Sequence, residues 1–321
     1  MTFKPMLAVS MDDPTFPLLC TPKIDGIRGL TIGGRVVTRK LIEIPNRHIQ
    51  NLISKHIPAG WDFEITALDR FGRMLGRNET QSAVMSDGWK PNFKIWVFDN
   101  FDYPKTPYEH RLIIGSAVFD SGLPFEAELL RPELIGDNKP KDEAGMSDLD
   151  KLQEKLNCEY KNLNELKRFY LKCDLEGYEG VIARKPGSPY KFGRSTLKEG
   201  YLMRYKSYED SEAIITGFEE QYQNTNKAEV DELGNTKRSS AKSGKVPKGT
   251  LGSFWVRDIY SNVEFKISKG EGLTNKLRKE FWENRDSLKG RIIKYKYDPK
   301  GEVDKPQMAS WLGFRDERDM S

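Results

Sequence analysis

No stretch constrains this chain more than Lys23-Ile24-Asp25-Gly26-Ile27-Arg28. The two isoleucines anchor the segment in a core, while the charged residues between them are presented from it. Lys23 is then held in place. A held lysine with other cations nearby can lose its proton well below its free value of roughly 10.4 and become a nucleophile. The same six residues would also suit a strand end and turn with surface charges, so the rest of the chain has to decide.

Before this stretch, Met11-Asp-Asp-Pro14 reads as a turn and Phe16 to Cys20 as a short apolar run bounded by proline. After it, Leu30-Thr-Ile, Gly33-Gly34 and Arg35-Val-Val-Thr38 form a hairpin pattern that ends at Arg39 and Lys40. Ile49, Leu52 and Ile53 fall at helical spacing within 46–56, which predicts a short helix with His48 and His56 on its exposed side. With His110 the only other histidine, neither a histidine metal cluster nor a histidine-based triad is attractive. Trp61 to Leu68 alternates as a strand whose acid, Glu64, needs a partner in an apolar setting. A polar stretch, 70–91, precedes the clearest strand, Phe93 to Asp99.

The segment 103–146 is a proline-studded connector with only short ordered pieces. From Leu149 to Tyr170, leucines and tyrosines recur every three or four residues, predicting one long or two short helices capped by Ser147, with the stripe packed in the core. Glu179-Gly180-Val181-Ile182 opens another strand. In Tyr201 to Lys206, alternation puts Arg204 and Lys206 on one face. Beyond a boundary near Ser207, separating 1–207 from 208–321, about five strands and a helix over 275–284 suggest an OB-type barrel. Within it, 221–249 reads as a mobile polar loop. Lys294 and Lys296 share a strand face suited to tracking phosphates.

At 321 residues, with 37% hydrophobic and 31% charged, two soluble domains are expected, with neither a membrane span nor a signal peptide. Three cysteines without paired spacing point to a reducing interior and a cytoplasmic protein, with Cys20 a buried structural thiol. Net charge is only +4, yet residues 237–300 carry 17 Lys/Arg against 7 Asp/Glu. A polyanion-binding lobe has that distribution.

Lys-x-Asp-Gly-x-Arg at 23–28 resembles the signature of the covalent nucleotidyltransferases, which comprise ATP-dependent DNA ligases, RNA ligases and mRNA-capping guanylyltransferases. The remaining motifs follow in order, and the whole chain is most similar to the small two-domain, bacteriophage-type ATP-dependent DNA ligases. The resemblance implies an α+β nucleotidyltransferase domain, ATP-grasp-like, built of antiparallel sheets with helices and followed by the OB barrel. It implies that Lys23 attacks the α-phosphorus of ATP with Mg²⁺ and carries AMP as a phosphoramidate. AMP then passes to the 5′-phosphate of a nick in duplex DNA, and the 3′-hydroxyl seals the strand, in replication, repair and recombination.

Residue by residue, the resemblance gives Arg28 to the nucleotide site and Arg39 to the 5′-phosphate of the nick. Glu64 goes to the ribose and metal, Phe98 to stacking on the purine, and Glu179 to the metal. Arg204 and Lys206 hold the α-phosphate, where the family more often has Lys-x-Lys. Arg315, opening Arg315-Asp-Glu-Arg318, faces the pyrophosphate when the OB lobe folds over the ATP site. Thr21 sits where many ligases carry an acid near the adenine amine, leaving base selectivity open. Phe63 stands where the family usually has glycine. The DNA ligase is expected to act as a monomer. The alternatives are an RNA ligase or capping enzyme of the same superfamily, and a non-catalytic nucleic-acid-binding module.

Overall fold

The computed structural model describes residues 3–120, 122–140, 146–206, 208–298 and 305–315. It divides into two compact units, Met1–Lys206 and Ser207–Ser321.

The first unit contains β1 (Val9–Ser10), β2 (Leu18–Lys23), β3 (Ile27–Ile32), β4 (Arg35–Thr38), α1 (Arg47–His56), β5 (Trp61–Leu68), α2 (Arg77–Met85), β6 (Asn92–Asn100) and α3 (Tyr108–Arg111). β7 (Glu126–Leu129), β8 (Glu133–Ile135), α4 (Asp148–Leu175), β9 (Gly180–Arg184) and β10 (Met203–Tyr205) complete it. Two five-stranded sheets result, ordered β1-β10-β9-β2-β8 and β4-β3-β5-β6-β7. Pairing is antiparallel except at β1/β10 and β6/β7. Ile49 and Ile53 of α1 join Phe63, Ile65, Ile95 and Val97 in the core of the second sheet. Leu166, Phe169 and Cys173 of α4 join Leu18, Cys20, Val181 and Ala183 in the core of the first.

The hairpin β3–β4 and strands β5 and β6 follow the sequence pattern closely, because alternate apolar residues such as Trp61, Phe63 and Ile65, or Phe93, Ile95 and Val97, share one core and so fix the register. α1 starts where expected, with the Asn46 side chain accepting from the Ile49 amide at 3.1 Å. His48 and His56 are not on an open face. Both are half-buried, edge-on to Phe93 and Phe125. Inside the polar stretch lies an unforeseen helix, α2, which buries Thr80, Ala83 and Val84.

The predicted stripe on α4 needs the largest correction. The helix is single, and Ser147 caps it. Leu149, Leu152, Leu156 and Tyr160, however, are exposed rather than packed.

The second unit contains β11 (Glu209–Asn224), β12 (Ala228–Val230), β13 (Thr236–Arg238), β14 (Lys245–Asp258), β15 (Glu264–Ile267), α5 (Asn275–Glu283), α6 (Arg285–Leu288), β16 (Ile292–Asp298) and β17 (Gln307–Phe314). Its five-stranded sheet, ordered β15-β14-β11-β16-β17, curls around Phe254, Val256, Ile267, Phe281, Tyr295 and Trp311. Among the described residues, the two ends of the sheet meet at a parallel bridge between Gly270 and Trp311, which leaves the barrel OB-like and incompletely closed there. The stretch 221–249 is an arm rather than a mobile loop. β11 and β14 run on as a paired ribbon to Asn224↔Lys245, and β12 and β13 form a small hairpin at its end. Polar side chains hold the arm, with the Asn226 amide donating to the Ser239 and Ala241 carbonyls at 3.0 and 2.9 Å.

Candidate nucleotidyl-transfer site

Register places the chemistry. Across the first sheet, Lys23 pairs with Gly180, and Thr21 pairs with Ile182, which in turn pairs with Arg204. Cross-strand partners share a face, so Thr21, Lys23, Arg204 and Lys206 all project from the face opposite the α4 core. The Glu179 amide donates to the Lys23 carbonyl at 2.9 Å, which fixes the acid beside the lysine. Its carboxylate forms ion pairs with both the Lys23 and the Lys206 amines, one through each oxygen.

The second sheet contributes Glu64 by way of Gly26. A Cβ at Gly26 would lie 2.4 Å from the Ile65 carbonyl oxygen and 2.9 Å from Cγ of Glu64. Only glycine lets the segment after Lys23 approach β5 this closely. In Gly26→Ala, overpacking against backbone displaces Lys23. The expected outcome is a loss of nucleotide transfer to Lys23 of about 100-fold, since an ångström of misplacement costs that much. Measuring the single-turnover transfer rate beside the melting temperature checks it.

Burial is the main influence on Lys23. Glu64 opposes it and Lys206 reinforces it; to smaller extents Asp25 raises and Arg77 lowers, and the amine is lowered to about 8. Burial, more than the neighbouring cations, therefore primes this lysine. Glu64 is itself raised to about 7, again chiefly by burial, against the pull of Lys23 and Arg28.

Arg28 lies beside these groups. It donates to Asp62 at 2.8 and 2.5 Å and to the Met6 carbonyl at 2.7 Å, and its guanidinium sits 5.5 Å from the centre of the Phe98 ring. Tyr190 also donates to Asp62, at 2.8 Å. Phe98 is half-buried against the cluster Ile24, Trp96 and Leu130. Thr21 is buried, and Arg39 is exposed at the turn after β4.

Arg204 shares the face of Lys206, but its Nε donates to Ser10 at 3.1 Å, and it is anchored to β1 rather than to the carboxylate at Lys23. In the second unit, Lys294 is paired with Asp210 at 2.7 Å, and Lys296 lies 5.4 Å from the Tyr208 ring centre. Lys294 is thus already engaged by an acid. Arg315 lies 3.3 Å from Glu212, off the hydrogen-bonding direction. Asp316, Glu317 and Arg318 lie outside the described residues.

Sequence reasoning missed Arg77, Asp62 and Tyr190. Arg77 donates to Asp25 at 2.5 Å and to the Gly26 carbonyl, bringing α2 to the lysine segment. Asp62 was visible in principle, since alternation sets it on the face of Glu64. Nothing local marked Arg77 or Tyr190.

Among the described residues there is no cluster of three or more His, Cys, Asp or Glu able to hold a metal ion. Glu64 and Glu179 are carboxylates near Lys23, while Asp25, also close, is paired with Arg77. That number fits Mg²⁺, which binds through one or two carboxylates plus substrate phosphates and water. No helix among the described residues is long and apolar enough to cross a membrane.

Residues 243–315 match the family of DNA ligase OB-like domains. Across 99% of this chain and 100% of the other, the structure is similar to the Chlorella virus DNA ligase–adenylate, at 27% identity and a TM-score of 0.51. A Lig E DNA ligase matches at 19% identity and a TM-score of 0.63, covering 98% of this chain and all of that one. A structure named Pmar-Lig matches at 18% identity and a TM-score of 0.65, covering 98% of this chain and 67% of that one. No curated protein matches the chain.

The lysine, the glutamate bridging it to a second lysine, and the OB-like second unit stand in a chain similar in structure to a DNA ligase. The similarity is to the small ATP-dependent DNA ligases.

Proposed function

We propose that the protein is an ATP-dependent DNA ligase that seals 3′-hydroxyl/5′-phosphate nicks in duplex DNA through a lysyl-AMP intermediate. The observation carrying this reading is the Lys23–Glu179–Lys206 cluster, in which a half-buried lysine has its pKa lowered to about 8. The free amine attacks the α-phosphorus of ATP, the phosphorus–nitrogen bond forms, and pyrophosphate leaves. Displacement of Glu179 from the two amines by a triphosphate frees Lys23 to attack and Lys206 to neutralise the α-phosphate. Positioning and charge neutralisation supply most of the rate in such transfers.

Glu64 and Glu179 would hold Mg²⁺, which would add neutralisation of the phosphate charge. Phe98 offers a flat ring to the purine. Arg28, fixed by Asp62, presents a guanidinium beside that ring. Arg204 lends positive charge to the face of Lys206. Arg315 serves the pyrophosphate and Arg39 the 5′-phosphate of the nick.

DNA is held by the second unit. Its arm carries Lys237, Arg238, Lys242, Lys245 and Lys248 with no acid among residues 237–248. Phosphate contacts of this kind give salt-dependent affinity. Lys294 and Lys296 extend the basic surface.

Incubation with labelled ATP or GTP, followed by nicked DNA or nicked RNA, tests the reading. Covalent labelling from ATP and sealing of nicked DNA are expected. Labelling from GTP alone would make the chain a capping-type enzyme, and sealing of RNA alone an RNA ligase.

A further inference from the structure

The turn that follows β5 is built around one carboxylate. Asp69 accepts from the amides of Phe71 and Arg73 at 2.8 and 2.9 Å and from Nε of Arg73 at 2.8 Å. Its own amide donates to the Arg73 carbonyl at 2.9 Å. Gly72 closes the turn at φ +78°, which glycine adopts without strain. Beyond it Leu68 bridges Met74, and the Leu75 amide donates to the Ala67 carbonyl, so the chain returns alongside the strand it left. The tip of this short hairpin is thus held in one shape, and what it holds in water is a ring. Phe71 is 66% exposed, more than any other phenylalanine among the described residues.

A single exposed apolar residue is ordinary. The surroundings of this one are not. The guanidinium groups of Arg70 and Arg73 lie 4.6 and 5.3 Å from the ring centre and still leave most of the ring uncovered. From Arg70 to Arg77 the chain carries three arginines and no acid. Arg73 is paired with Asp69 inside the turn and Arg77 with Asp25, whereas Arg70 pairs with no acid among the described residues. A rigid ring with unpaired positive charge beside it meets both needs of a nucleic-acid contact, a flat surface for a base or sugar and a cation for the phosphate. A protein partner needs a patch of several apolar residues, and on this hairpin only Met74 is exposed with the ring.

We propose that the Phe71 tip is an additional DNA contact, made by the first unit, in which the ring packs against a base or deoxyribose and Arg70 against a phosphate. It rests on the ligase reading and says where else that enzyme grips its duplex. Chain length bounds the place. Arg77 reaches Asp25, two residues from Lys23, and Phe71 stands six residues before Arg77. Six residues span at most about 20 Å at roughly 3.3 Å each. At about 3.4 Å per base pair, the contact falls within about six base pairs of the bond being sealed.

Fluorescence anisotropy of the full chain with a nicked duplex tests this, the 3′ end being a dideoxynucleotide so that no strand is sealed, at several salt concentrations. Phe71→Ala is expected to bind about tenfold more weakly at fixed salt, the scale of one lost stacking contact. Phe71→Trp should keep native affinity, and Phe71→Leu, apolar but without a ring, should behave as the alanine variant does. Arg70→Ala should reduce the slope of log affinity against log salt by about one, as the loss of one phosphate contact requires. Both side chains are exposed, so melting temperatures near the native value separate a lost contact from lost folding. Phe71→Ala and Arg70→Ala proteins that bind as the native chain does overturn the proposal and leave the ligase reading standing. A Phe71→Leu protein with native affinity overturns the role given to the ring. A native chain that binds no nicked duplex overturns the ligase reading as well, so the two failures are told apart.

Discussion

Lys23→Ala is expected to carry no covalent nucleotide after incubation with ATP and Mg²⁺, with a transfer rate at least about 10³-fold below native. No other amine can substitute at the same point. Lys206 projects from the same face, but Lys23 is the residue at the end of β2 next to Gly26, the close approach to β5. Mass spectrometry of the intact protein reads the result, and equal labelling of native and variant removes Lys23 from the mechanism.

The pH profile of the native reaction gives a second readout of the same amine. The attacking form is the neutral one. Below the lysine pKa of about 8 the single-turnover rate should climb about tenfold per pH unit, then level off above it. Arg77→Ala removes a nearby cation, which makes the protonated amine easier to keep. Its inflection should therefore move to higher pH. A native profile still climbing at pH 10 would show a lysine that burial does not perturb.

Asp99→Asn is expected to destabilise the first unit by about 3–5 kcal/mol, the usual cost of stranding buried charge. Asp99 is completely buried at the end of β6. Its carboxylate accepts from Arg111 at 2.6 and 3.1 Å and from Arg184 at 3.1 Å, and both arginines are buried too. Asparagine keeps the shape but leaves two guanidinium groups without a counter-charge. Arg111 also donates to the carbonyls of Thr106 and Ser188, so the network ties β6 and β9 to two loops. Urea denaturation monitored on the first unit measures the effect, and a loss below about 1 kcal/mol would mean that the carboxylate contributes little net stability.

Much of the site was legible because strands declare themselves. β5 and β6 alternate core-facing apolar residues with others, and the lysine, Glu64, Phe98, Glu179 and Lys206 all stand on or just beside strands of apolar residues. Elements lacking an apolar face were not legible. The arm at 221–249 has exposed strands held by backbone pairing and asparagine amides, so nothing in its side-chain pattern separates it from a loop. α2 buries only three residues of its nine, too few to show a period. On α4 the regular spacing was visible, but burial did not follow from it. A helix can repeat apolar residues on a face that its own chain leaves open. Arg77 and Tyr190 depend on tertiary folding to reach Asp25 and Asp62, and no local pattern carries that information.

The phenylalanine at position 63 has a counterpart across the ladder. Gly29 stands directly opposite it, and a Cβ there would come within 2.5 Å of the Phe63 ring. The vacancy usually provided by one strand is supplied here by its neighbour, so the ring lies over bare backbone and Glu64 keeps its orientation. Two positions thus behave as a single unit of volume, and enlarging residue 29 without shrinking residue 63 would push apart the strands that carry Arg28 and Glu64.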